Sequence, residues 1–304
     1  MLKKKRSCRN VSFLILLTFV FTIIGPSFTP SESSLIHNST AITPGAIHKS
    51  LHSPLDIFST KTVSAATGKA VQTASVNSSS TAGVSIKTLA PGTIHATELY
   101  VIKSGKPGPT VMFIGGVHGN ETAGYKAAQQ LTKYRPSKGT ILVIPQANKR
   151  AIAANKRTAK GSIDLNRAFP TTKNGSANGT LAKAILKVMK DYKVDWVMDM
   201  HEGYDYAKNT SNSSVGQSVI YYPSSQMTPL AKKIVSSLNT GIKYKSKQFS
   251  LLKYPVKGSA ARCAAVTVGA NSFIFESCSK ETLNKRVNNQ LKAANILLNH
   301  LGMN

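Results

Sequence analysis

Four side chains in this sequence could share one site: His118, Glu121, His201 and Glu276. His118 and Glu121 lie three residues apart in "FIGGVHGNETAG", residues 113 to 124, where an apolar run ends in two glycines. His201 closes "DWVMDMH" (195–201), and Glu276 closes "SFIFE" (272–276). Two imidazoles and one carboxylate are a recurrent ligand set for a catalytic Zn2+, with the fourth position open. A second carboxylate beside such an ion is placed to act as a general base. Each piece is weak alone. HxxE arises often by chance, and a histidine or glutamate at a strand end is more often a cap or an ion-pair partner. His201–Glu202 does not open an HExxH zinc motif, because Asp205 stands where the second histidine belongs.

The elements that must carry these residues are legible from hydrophobic periodicity. "TVMFIGG" (110–116), "GTILVIPQ", "DWVMDMH", "SVIYYP" and "SFIFES" (272–277) read as strands. "ETAGYKAAQQLTKY" (121–134) has helical spacing, with Ala123, Ala127, Leu131 and Tyr134 on one side. "TLAKAILKVMKDY" (180–192) and "TPLAKKIVSSL" are further helices, and the last helix sets Leu283, Val287, Leu291, Ala294, Leu298 and Leu301 on one stripe. This alternation predicts an α/β layered domain with a largely parallel sheet. In such sheets sites gather at the carboxyl ends of the strands, where His118, His201 and Glu276 all fall.

"GGVHGNE", then "DLNRAFP" (164–170), "DMH" (199–201) and "FIFE" (273–276) together resemble the succinylglutamate desuccinylase/aspartoacylase family of the zinc carboxypeptidase superfamily. The motifs stand in that family's order and span residues 110 to 280. The resemblance implies a carboxypeptidase-like α/β fold, a central mostly parallel mixed sheet flanked by helices. It implies that His118, Glu121 and His201 hold zinc and that Glu276 is the general base. It also implies that Asn166 and Arg167 bind a substrate carboxylate. An arginine of the superfamily polarises the scissile carbonyl; Arg157 is the best-placed candidate and Arg150 the second. Tyr254, in "KYPVKGSAARC" (253–263), matches a tyrosine on a mobile loop of the carboxypeptidases, and Arg262 nearby is either an acid-reading group or a solvated one. Family members carry a β-rich domain after the catalytic glutamate. Here only one helix follows Glu276, so an open cleft suited to peptides is expected.

The ends and the composition frame this domain. Lys3, Lys4, Lys5 and Arg6 precede an apolar run from Val11 to Ile24, which Gly25 and Pro26 end. A basic flank and a run shorter than the ~20 residues of a comfortable span read as a signal peptide over 1–25, with an N-terminal anchor as the weaker reading. Residues 26–90 are rich in Ser, Thr, Pro and Ala without a period and read as a disordered linker or pro-segment. The catalytic domain is expected over 91–304, in a secreted or extracytoplasmic protein. No Cys/His cluster marks a structural zinc, and Cys263 and Cys278 are an open question for a disulfide.

Lys and Arg number 39 against 12 Asp and Glu, a formal charge of +27. Most of the excess is a solvated basic surface that could also hold an anionic cell-wall polymer. Nucleic acid is not expected, since export removes the usual target and no aromatic-laced binding motif accompanies the lysines. The expected activity is amide hydrolysis next to a free carboxylate, on small peptides such as those of the cell wall or on N-acyl amino acids. A non-catalytic polymer binder is the reading from another class; such a binder needs none of the five residues His118, Glu121, His201, Arg167 and Glu276 together.

Overall fold

β-Branched and aromatic runs bounded by glycine and proline form the strands of a single sheet. The computed structural model describes residues 81–304. In chain order come strands Gly83–Leu89 (β1), Thr97–Lys103 (β2) and Thr110–Gly115 (β3), helix Thr122–Leu131 (α1), strand Thr140–Ile144 (β4), and helices Lys149–Ala153 (α2) and Thr180–Asp191 (α3). Strands Trp196–Gly203 (β5) and Ser218–Tyr221 (β6), helix Met227–Asn239 (α4) and strand Ser250–Lys253 (β7) follow. Helix Ala260–Cys263 (α5), a π-helical segment Ala264–Val268, strand Asn271–Cys278 (β8) and helix Leu283–His300 (α6) complete the domain.

The strand order is β1-β2-β4-β3-β5-β8-β6-β7. The four central strands β4, β3, β5 and β8 run parallel, while β2 and β6 flank them antiparallel. β4 pairs on one side of β3 and β5 on the other, so the winding reverses at β3. A crevice opens at such a reversal, outside the carboxyl ends of the strands.

Period-two alternation divides the sheet between two apolar cores. Phe113, Met198, Met200, Phe273 and Phe275 face α1, α4 and α6. Met112, Ile114, Val197 and Leu142 face α3 and α5. His201 has the parity of Val197, and Glu276 that of Ile274. Both therefore project from the second face, at the rim where its apolar filling ends. Each fully buried side chain of this size contributes about 1.5–3 kcal/mol. Phe273→Ala, at the centre of the sheet, should cost about 3–5 kcal/mol.

Four expectations need correction or completion. The linker does not extend to residue 90, because Gly83–Leu89 form β1, an edge strand paired to β2. Its side chains are almost all exposed, so no buried face announces it in the sequence. β2, β7 and the short helices α2 and α5 are likewise additions. The buried face of α6 is Val287, Gln290, Ala293, Ala294, Leu297 and Leu298. Leu283 and Leu291 are only half-buried there, while Gln290 turns inward and donates to His201 O at 2.8 Å. Cys263 and Cys278 are both buried and unbridged; helical rather than hairpin backbone follows Cys263. Residues 1–80, which carry the expected signal, most of the linker and Cys8, lie outside the described residues.

Candidate active site

β3 delivers His118 through a tight turn. A Cβ at Gly119 would fall 1.9 Å from the backbone of Ala151, so only glycine lets this turn lie against α2. The Gly119 N–H then donates to Lys156 O at 2.9 Å. Glu121 stands at the N-cap position of α1, though its side chain makes no capping bond there. His201 and Glu276 stand opposite each other in register on β5 and β8. All four are at least nine-tenths buried.

Glu121 bridges the two histidines. Its Oε1 lies 2.6 Å from His118 Nδ1 and its Oε2 2.7 Å from His201 Nδ1. The outer nitrogens face a second carboxylate each. His118 Nε2 is 3.1 Å from Asp164 Oδ1. His201 Nε2 is 3.0 Å from Asp199 Oδ1, but off the hydrogen-bonding direction, so neither it nor either Asp199 oxygen has a hydrogen-bond partner. Carboxylates behind imidazoles set ring orientation and tautomer in metal sites.

The donor set fits a divalent cation. One ligand atom each from His118, Glu121 and His201 lies within 4.8 Å of the others. Glu121, Asp164, Asp199, Glu202 and Glu276 crowd negative charge here, against Arg157 and Arg286. Burial opposes a charged His201, yet Asp199 and Glu121 outweigh it and hold the ring well above its usual pKa. Burial, chiefly, pushes the Glu276 carboxyl up, with Glu121 and Asp199 adding to it and His201 opposing.

His118, Glu121 and Glu276 line a cleft of about 620 Å³ together with Asn120, Arg157, Asn166 and Arg167. Arg157, not Arg150, reaches it. Its Nε and Nη2 donate to Asp164 Oδ2 at 3.1 and 2.9 Å, and its Nη1 lies 3.9 Å from Glu121 Oε1. Arg150 points to another hollow and donates to Ser162 Oγ. Asp164 caps the turn Leu165–Arg167 by accepting from Asn166 N at 2.8 Å. Asn166 Oδ1 is buried without a partner. Arg167 Nη1 donates to Asn166 O, and no carboxylate pairs with it among the described residues. Apolar side chains complete the wall: Val215, Ile220, Val256 and Ile274. Ile220 and Ile274 are register partners and belong to neither core.

Tyr254 is not in this wall, contrary to expectation. It has a left-handed backbone (φ 64°) and packs edge-on against Tyr222 at 5.8 Å, with the Arg262 guanidinium over both rings. That stack holds its ring outside the cleft; Val256 of the same loop lines it instead.

Sequence reasoning missed four contributors. Asp164 and Asp199 had a usable signal, an acid two residues before Asn166 and two before His201 on the same strand face. Glu202 and Gln290 had none, since their partners lie far away along the chain.

The geometry gathers a candidate metal-ligand set and a further buried carboxyl at a strand-end crevice. Residues 107–293 match the succinylglutamate desuccinylase/aspartoacylase catalytic domain. The chain belongs to that family. Among curated proteins, it is 34% identical over 107 residues to the N-alpha-acetyl-L-2,4-diaminobutyric acid deacetylase of Halomonas elongata, a match to 34% of this chain and 31% of that protein. The fold is shared with the mDAP-bound form of Helicobacter pylori Csd4, a D,L-carboxypeptidase, at TM-score 0.53 and 19% identity over 65% of this chain and 52% of that one. It is shared as well with a succinylglutamate desuccinylase/aspartoacylase from Rhodobacter sphaeroides, at TM-score 0.52 and 21% identity over 73% and 65%. The chain thus spans about a third of the deacetylase and about half of Csd4.

Proposed function

We propose that this family member is a zinc-dependent amide hydrolase whose substrate carries a free carboxylate close to the scissile amide. The observation that carries the reading is the meeting of His118, Glu121 and His201, beside a cleft that His118, Glu121, Glu276 and two arginines line. When bound, zinc supplies a Lewis acid that polarises a carbonyl and acidifies water. Glu276 takes a proton from the attacking water and returns it to the leaving nitrogen. Arg157, braced by Asp164, donates to the developing oxyanion, a contribution of about 2.7–4 kcal/mol per donor in comparable sites. Arg167, lacking an acidic partner, offers a bidentate fork to the substrate carboxylate, and Asn166 Oδ1 accepts a substrate N–H. Ile220, Ile274 and Val256 present an apolar floor beside these groups, which suits an uncharged side chain.

Deacylation of an N-acyl amino acid is favoured by the 34% identical deacetylase. Carboxypeptidase action on cell-wall peptides is the setting proposed from the Csd4-like fold, with export resting on the basic-then-apolar pattern of residues 3–24 and wall retention on the +27 charge. Zinc-loaded protein assayed on N-acetyl amino acids and on peptides with free or amidated C-termini tests the reading. Hydrolysis confined to free-carboxylate substrates supports it, and equal hydrolysis of amidated ones refutes it.

A further inference from the structure

Glu202 is a buried acid that the proposed chemistry does not use. Its side chain is 2% exposed, and three donors from three different elements converge on it. Oε1 accepts from Ala123 N, in the first turn of α1, at 2.6 Å. Oε2 accepts from Ser277 Oγ on β8 at 2.9 Å and from Arg286 Nη1 on α6 at 2.7 Å. Its own N–H donates to Glu121 Oε2 at 3.1 Å. With its oxygens so engaged, Glu202 is not free to serve as a base or as a further ligand.

Two of these partners, and Glu202 itself, stand one or two residues from a site group. Ala123 follows Glu121 by two, Ser277 follows Glu276, and Glu202 itself follows His201. The start of α1 lies directly on β5, since a Cβ at Gly124 would fall 2.3 Å from Met200 O. Gln290, one turn beyond Arg286 on α6, donates to His201 O.

From this convergence we propose that Glu202 and Arg286 form a positioning pair for the metal centre: the buried ion pair sets the spacing among the α1 start, the β5 end and the β8 end, and so holds Glu121, His201 and Glu276 in ligand and base geometry. The inference rests on the metal-site reading above. It assigns a task to α6, which otherwise only fills the core. Ligating groups tied to rigid elements by such outer contacts lose affinity when those contacts are removed, by about ten- to a hundredfold in known metal sites.

The test uses the full chain with Glu202→Gln, which keeps shape but not charge, and Arg286→Met, which removes the guanidinium from the other side. Zinc affinity is read by chelator competition and site geometry by the visible d–d spectrum of the cobalt(II)-loaded protein, beside circular dichroism of the metal-free form. Both variants should fold, bind zinc about ten- to a hundredfold more weakly and show altered cobalt bands. The double variant should be no worse than the poorer single one. If Glu202→Gln does not fold, Arg286→Lys, which keeps the charge and loses the fork, is read the same way. Folded variants with wild-type zinc affinity and an unchanged cobalt spectrum overturn the positioning role while leaving the metal centre standing. A wild-type chain that binds no zinc overturns both.

Discussion

His201 and Glu276 face each other across neighbouring parallel strands, in register and on the same side of the sheet. One is bridged to Glu121 at 2.7 Å, and the other is a buried carboxyl with no salt-bridge partner among the described residues. Register makes this pairing unavoidable once β5 and β8 are aligned, since a one-residue slip would turn one of the two into the opposite core. A ligand and a base are thereby held side by side by backbone hydrogen bonds rather than by a loop.

That relationship separates binding from chemistry. Glu276→Gln should leave zinc content and substrate affinity unchanged while turnover falls by roughly two to four orders of magnitude, the usual span for a general base. Steady-state kinetics with metal analysis of the same preparation check this. A variant as active as wild type would place the base elsewhere, and Glu202 is already engaged by three donors.

The two cleft arginines should fail differently. Arg167→Ala should cost about ten- to a hundredfold in kcat/KM on a free-acid substrate and little on its amidated analogue, as expected for a lost charge-assisted bidentate contact. Arg157→Ala should slow both about equally, because oxyanion stabilisation does not depend on the distant carboxylate. Equal losses from Arg167→Ala on the two substrates would remove its carboxylate-reading role.

Much of this site can be read in the sequence because His118, His201 and Glu276 end apolar runs, and strand ends meet at one rim. The α/β alternation was equally legible, since buried strands such as Met112–Ile114 are continuous apolar runs. What was not legible depends on pairing over distance. β1 shows no buried face. The inward turn of Gln290 makes sense only beside His201, 89 positions away. Arg157 and Arg150 look alike in sequence, and the cap on the Leu165–Arg167 turn decides between them by placing Asp164 within reach of Arg157. Tyr254 matched by spacing, yet its stack with Tyr222 and Arg262 is a tertiary contact that no spacing reports.

The apolar floor makes a selectivity prediction. N-acyl amino acids with neutral aliphatic side chains should be hydrolysed at least about tenfold faster, in kcat/KM, than otherwise matched substrates with charged side chains, the scale that one or two buried methylenes provide. Ile220→Asp should reverse the order for cationic side chains. A wild-type preference for charged side chains would show that Ile220 and Ile274 do not contact the substrate.

The cysteines should be inert. Burial pushes the Cys263 thiol up to about 11 and raises that of Cys278, so at pH 8 both stay protonated and shielded. A thiol reagent at pH 8 should leave both unmodified in the native protein and titrate both after denaturation without reductant. Absence of these two thiols in the denatured, unreduced chain would reveal a disulfide.

Metal content tests the central claim most directly. Purified protein should hold about one zinc per chain, as two-histidine, one-carboxylate sites do, and His118→Ala or His201→Ala should each remove most of it while the fold persists. Full zinc retention in both folded variants would contradict the account.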